Sequence, residues 1–198
     1  MKVIFLDHDG VICLQNNWGN RHKKEIKWVK DNPDKDLKEE NPVEIRFDNF
    51  DEKAVSVLNQ ILEKSGAEIV VSSDWKRWAS VDELGEYYSN HGIIKKPIDA
   101  TKLSKDMAYP THEEFKFWDR NQSLEQERHF EILEWLERHP EVTHWVAVDD
   151  LNMAIHIDTY HGPDEREWGL SNFVWTPRMD EGIKQSGIKK KILDFLKD

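Results

Sequence analysis

Lys2-Val3-Ile4-Phe5-Leu6-Asp7-His8-Asp9-Gly10-Val11 decides the fold: an unbroken apolar run closed by two carboxylates one residue apart and a glycine. Val3 to Leu6 lack the polar alternation of a half-exposed strand, and so short a run of branched and aromatic side chains suits a strand covered on both faces of a parallel sheet. Carboxylates at the end of such a strand would be costly in a core. In an open α/β sheet, however, the carboxyl end faces the crevice where ligands bind. Strand alternation lets Asp7 and Asp9 share one side, with His8 pointing elsewhere, a geometry that can clamp a divalent cation between oxygens. Gly10 lets the chain turn away. Taken alone, the stretch reads equally well as a strand entering an Asp-Gly turn.

Working outward, the same signature recurs. A helical pattern (Ala54, Val55, Leu58, Ile61, Leu62) stops at Ser65-Gly66, and a second buried strand at 67–71 ends in Ser72-Ser73-Asp74-Trp75-Lys76-Arg77. Helix resumes through Val81, Leu84, Tyr87 and Tyr88, and a short third strand is expected from Ile93 to Ile98. An amphipathic helix with Phe130, Ile132, Leu133, Trp135 and Leu136 precedes Pro140, and a fourth strand, His144 to Val148, runs into Asp149-Asp150. A fifth strand at Asn172 to Trp175 and a closing helix from Ile188 to Leu196 complete the pattern. This alternation predicts one α/β domain over 1–198, with a parallel sheet covered on both faces.

Two polar stretches interrupt it. Residues 14–49 carry Lys23-Lys24 and two prolines, with a short helix expected at Lys23 to Lys30 and a flexible loop at Asn16 to Asn20; the length and position suggest a small cap. Residues 102–127 are a second polar insertion, a candidate substrate wall.

Composition narrows the classes. With 39 Asp and Glu against 28 Lys and Arg, the net charge of −11 argues against a broadly basic nucleic-acid-binding surface, although a local basic patch remains compatible. The single cysteine, Cys13, forms no internal disulfide; neither a signal peptide nor a membrane span is expected, so a cytoplasmic protein is. Nine tryptophans are mostly core fillers, with Trp75, Trp78, Trp118 and Trp168, each beside charge, as alternative stacking platforms. His156, Asp158 and His161 lack zinc-site spacing and read as a loop with histidines.

Carboxylates after strand one, hydroxyls after strand two and carboxylates after strand four together describe a magnesium-dependent phosphoryl-transfer site, with Asp7, Asp149 and Asp150 as hard oxygen ligands. These residues, in this order, resemble the motifs of the haloacid dehalogenase (HAD) superfamily of phosphatases. The resemblance implies a three-layer α/β/α Rossmann-like fold and an aspartyl-phosphate mechanism. Asp7 would be the nucleophile and a metal ligand, and Asp9 the general acid and base with its carbonyl on the Mg2+. Ser72 would bind a phosphoryl oxygen, with Ser73 the second candidate beside Gly10, and Asp149 and Asp150 would hold the metal. For the family's basic residue the choice is Arg128, with Lys102 next; otherwise Arg128 is a solvated residue paired with Glu125 or Glu131.

Finer features, from Ile69 to Lys76, from Arg128 to Leu136 and from Phe173 to Thr176 with Gly182-Ile183, are similar to the compact HAD branch of RNA-repair proteins and polynucleotide phosphatases. That implies a phosphorylated nucleotide or nucleic-acid end as partner, with Lys76, Arg77 and a tryptophan meeting the backbone and a base. No Gly-Lys-Ser or Gly-Lys-Thr loop marks a kinase. A small-metabolite phosphatase, a phosphotransferase or dehalogenase, and a non-catalytic binding module are the alternatives.

Overall fold

The computed structural model describes residues 1–103, 124–158 and 166–198, with the backbone alone at 156–158 and 166–167. Five strands form an all-parallel sheet in the order β3-β2-β1-β4-β7: β1 Lys2–Leu6, β2 Glu68–Val71, β3 Asp99–Ala100, β4 His144–Asp149 and β7 Phe173–Trp175. The chain moves outward from β1 through β2 to β3, then crosses back to place β4 on the other side of β1. The β1/β4 boundary is therefore the point where the winding reverses, and crevices at such points receive ligands.

Alternation along the strands divides the core into two faces. Ile4, Leu6, Ile69, Val71, Val146, Val148 and Val174 pack against α4 (Glu52–Ser65), α5 (Val81–Asn90) and α7 (Ile188–Phe195), through side chains such as Leu58, Leu84 and Ile192. Val3, Phe5, Val70 and Ala147 meet Ile132 and Trp135 of α6 (Leu124–Arg138) on the other. With helices on both sides of the sheet, the three-layer α/β/α architecture is as expected.

Helix ends follow local chemistry. Asp51 accepts a hydrogen bond from the Ala54 amide at 2.8 Å to start α4, and Gly66, at φ 69°, closes it. Ser80 and Glu83 form a reciprocal capping box on α5.

Several boundaries differ from expectation. The third strand is two residues long, Asp99–Ala100, and the Ile98 amide donates to the Ile69 carbonyl at 2.9 Å just before it; Ile94 and Ile98 are exposed. α6 begins at Leu124, so 124–127 belong to that helix and not to the polar insertion; Glu125 and Glu127 suit its first turn. Residues 104–123, including Trp118, lie outside the described residues, as does His161.

Asn16 to Asn20 is ordered as a 3-10 turn at Gln15–Asn17 and the start of α1 (Asn20–Asp31), followed by α2 (Leu37–Glu40) and α3 (Val43–Arg46). Asp48 supplies the start signal for α1 from 27 residues downstream, accepting from the Arg21 amide at 2.7 Å, which local pattern does not reveal. Ile45, Phe47 and Phe50 fix this segment to the main core. Two further strands, β5 (His156–Asp158) and β6 (Arg166–Trp168), form an antiparallel pair where a loop was expected.

Candidate active site

Leu6 of β1 pairs in register with Val71 of β2 and Val148 of β4. The residues that follow, Asp7, Ser72 and Asp149, are therefore level at the carboxyl end of the sheet, on the face that α6 covers. Arg128, one turn into α6, reaches that row: Nη1 donates to Asp7 Oδ1 at 3.0 Å, to Asp149 Oδ2 at 2.9 Å and to the Ser72 carbonyl. It is buried and not a solvated residue of the helix surface. Lys102 is turned away and pairs with Glu134 at 3.2 Å.

Asp149 Oδ1 accepts from the Leu151 amide at 2.8 Å, holding the acidic turn. Asp7, Asp149 and Asp150 each offer a carboxylate oxygen within 4.8 Å of the others. Burial raises the proton affinity of all three. Asp7 is partly offset by Arg128, Asp149 is pushed further by the charge of Asp7, and Asp150 rises to about 6. For Arg128, burial alone would favour proton loss, but Asp149 and Asp7 reverse this and hold it charged.

Three carboxylates against one guanidinium leave an excess of negative charge, and closely spaced hard oxygens suit a divalent cation that keeps some of its waters. The Ser72 hydroxyl is buried without a hydrogen-bond partner among the described residues, so a donor stands free beside Asp7.

Asp9 departs from the shared-side geometry. The chain turns tightly after β1, with the His8 carbonyl accepting from Ile12 at 2.9 Å and Cys13 at 2.8 Å. Its Oδ2 accepts from Trp75 Nε1 at 2.9 Å, and the Cys13 thiol also hydrogen-bonds it. Burial, then the charge of Asp7, raises Asp9 to about 6 against the pull of Trp75 and Cys13. The carboxylate lies outside the three-oxygen group, leaving its carbonyl as the family-implied ligand.

Gly10 turns at φ 70°, and a Cβ there would lie 2.7 Å from Asp150 Cγ, so only glycine brings the β1 loop this close to the acidic pair. Ser73 is buried; its hydroxyl hydrogen-bonds Asp7 and caps the Trp75 amide at 3.5 Å.

The basic pair after β2 splits. Lys76 is buried away from solvent, its Nζ donating to Thr101 Oγ1 at 2.7 Å and paired with Glu131, so its charge is committed within the fold rather than presented to a nucleic-acid backbone. Arg77 is partly exposed and pairs with Asp74 at 2.9 Å. Sequence reading missed the roles of Trp75, Cys13 and Thr176, whose amide donates to the Asp149 carbonyl at 2.9 Å. Only Trp75 carried a signal, through its position two residues after Ser73, and Trp75 is buried where a base-stacking platform was the alternative.

A family model described as the HAD domain in Swiss Army Knife RNA repair proteins matches residues 3–183. The chain belongs to this family. No match is found among curated proteins or among solved structures. For this HAD domain, membership suggests hydrolase or phosphatase chemistry in general, on a phosphorylated or nucleic-acid substrate, and the aspartate cluster could hold the divalent metal that the superfamily generally uses. Among the described residues, no helix is long and apolar enough to cross a membrane.

The raised carboxylates give this HAD domain a distinctive stability profile. A carboxyl group that binds its proton more tightly folded than unfolded contributes stability below its unfolded pKa, and that contribution is lost as pH rises through the folded value. For Asp9 and Asp150 the window runs from about 4 to about 6. Mg2+ should therefore raise the melting temperature more at pH 7, where Asp150 is ionised, than at pH 5, where it holds its proton. Scanning calorimetry at both pH values with and without Mg2+ tests this; equal Mg2+ shifts would contradict it.

Proposed function

We propose that the domain is a Mg2+-dependent phosphomonoesterase that removes phosphate from a nucleotide or nucleic-acid end through an aspartyl-phosphate intermediate. The observation that carries this reading is the Asp7–Arg128–Asp149 bridge in the same row of strand ends as the unpartnered Ser72 hydroxyl: a buried carboxylate, a fixed cation and a hydroxyl free to donate. Asp7, Asp149 and Asp150, with the Asp9 carbonyl, would hold the Mg2+, which when bound offsets the charge of phosphate and carboxylate.

In the proposed sequence an Asp7 oxygen attacks phosphorus in line while the bond to the ester oxygen breaks, with Arg128 and Ser72 donating to the phosphoryl oxygens. Asp9 gives its proton to the departing alkoxide. It then takes a proton from the water that attacks the aspartyl-phosphate, releasing inorganic phosphate and restoring Asp7. A carboxyl group with a pKa of about 6 serves both steps near neutral pH. The segment 14–49 acts in this reading as a cap whose Phe47, with Phe50 directly after the segment, holds Trp75 against Asp9.

The test is phosphate release with Mg2+ from mononucleotides, 3′- and 5′-phosphorylated oligonucleotides and sugar phosphates. Release from nucleotide or oligonucleotide ends well above that from sugar phosphates is expected. The opposite order would point to a small-metabolite enzyme. No release from any substrate, together with tight oligonucleotide binding, would replace catalysis by a binding module.

A further inference from the structure

The row that holds Ser72, Asp7 and Asp149 has one more member. Asp149 pairs in register with Trp175 on β7, so Ser72, Asp7, Asp149 and Trp175 follow one another across β2, β1, β4 and β7. Alternation puts all four on the face of Val70, Phe5, Ala147 and Phe173. The first three are buried, whereas Trp175 is 43% exposed. Its Nε1 donates to the Asp150 carbonyl at 2.8 Å, which orients the indole against the backbone that carries the acidic pair. Thr176 fixes the next residue, through its amide to the Asp149 carbonyl and its hydroxyl to the Gly10 carbonyl at 3.4 Å.

Neighbouring strands are about 4.8 Å apart, so two strand steps put Trp175 roughly 10 Å from Asp7 at backbone level. The carboxylate and the indole extend from those backbone positions, so a phosphate at Asp7 and a base at Trp175 can belong to one nucleotide. We propose that Trp175 is a stacking platform for the base of the nucleotide whose phosphate meets Asp7, an inference that rests on the phosphatase reading above.

Charge supports an aromatic contact over an ionic one. A chain with a net charge of −11 gains little from general attraction to phosphates, and Lys76 and Arg77 are already paired. An indole accepts any base by its π-face, at about 1–3 kcal/mol per stacked base. Its hydrogen bond to Asp150 sets the ring before substrate arrives, so little side-chain freedom is lost on binding. Exposure of so large an apolar group at the end of a catalytic row is then accounted for by its occupant.

The experiment compares two phosphorylated oligonucleotides, one with an intact terminal nucleotide and one abasic at that nucleotide. Wild type, Trp175→Ala and Trp175→Phe are measured on both, as kcat/KM with Mg2+ and as Kd by fluorescence anisotropy. Wild type should prefer the intact end about tenfold or more, Trp175→Ala should lose that preference, and Trp175→Phe, which keeps a π-face, should retain most of it. Equal use of both ends by wild type would overturn the stacking role and leave the phosphatase reading standing. So would a loss in Trp175→Ala that is equal on both substrates. No phosphate release by wild type from either end would overturn the phosphatase reading, and the inference with it.

Discussion

Asp7→Asn is expected to lower phosphate release by on the order of a thousandfold or more while leaving the protein folded. The amide has the shape of the carboxylate and its oxygen can still accept from Arg128 Nη1, now 3.0 Å from Asp7 Oδ1, so the bridge between β1 and α6 survives. It lacks the charged oxygen that would form the bond to phosphorus. Neutralising one of three crowded carboxylates also relieves repulsion against Asp149, whose proton affinity the charge of Asp7 raises. Metal-free Asp7→Asn should thus melt at or above the wild-type temperature at pH 7. Single-turnover phosphate release and a thermal melt on the same preparation separate the two effects. Wild-type rates in the variant would remove Asp7 from the chemistry.

Arg128→Met should have the largest effect on stability. Its guanidinium is the cation shared by Asp7, Asp149 and the Ser72 carbonyl, and taking away one partner of a buried ion pair typically costs about 3–5 kcal/mol because the remaining charge stays desolvated. For a chain of this length each kcal/mol moves the melting temperature by about 2–4 °C, so a fall of roughly 10 °C is expected at pH 7. Mg2+ should recover part of that fall by replacing the missing positive charge, and lowering the pH should recover part by protonating the carboxylates. Thermal melts across pH with and without Mg2+ give the answer. A variant as stable as wild type at pH 7 without Mg2+ would mean that the carboxylates do not depend on Arg128.

The row of strand-end residues was legible because each member directly follows an apolar run: Asp7 after Phe5-Leu6, Ser72 after Val70-Val71, Asp149 after Ala147-Val148. That signal is local, and it carries the sheet with it, since buried runs and parallel order have the same cause. Residues defined by distant partners were not legible. Lys76 looks like a free cation beside Arg77 until Glu131, 55 residues on, comes into contact. Asp9 looks like a second metal carboxylate until the turn after β1 aims it at Trp75, 66 residues away.

Trp75 belongs to two parts of the molecule at once. Its ring stacks on Phe47 at 4.2 Å and on Phe50 at 5.3 Å, both from the segment that leads into α4, while its nitrogen holds Asp9. In the phosphatase reading proposed above, the insertion is thereby wired to the group that would carry the proton, and swapping it for a cap of different shape would alter proton affinity as well as substrate fit. Inheritance or engineering of a new cap on this scaffold has to carry position 75 along, so that selectivity and acid–base chemistry change as one trait.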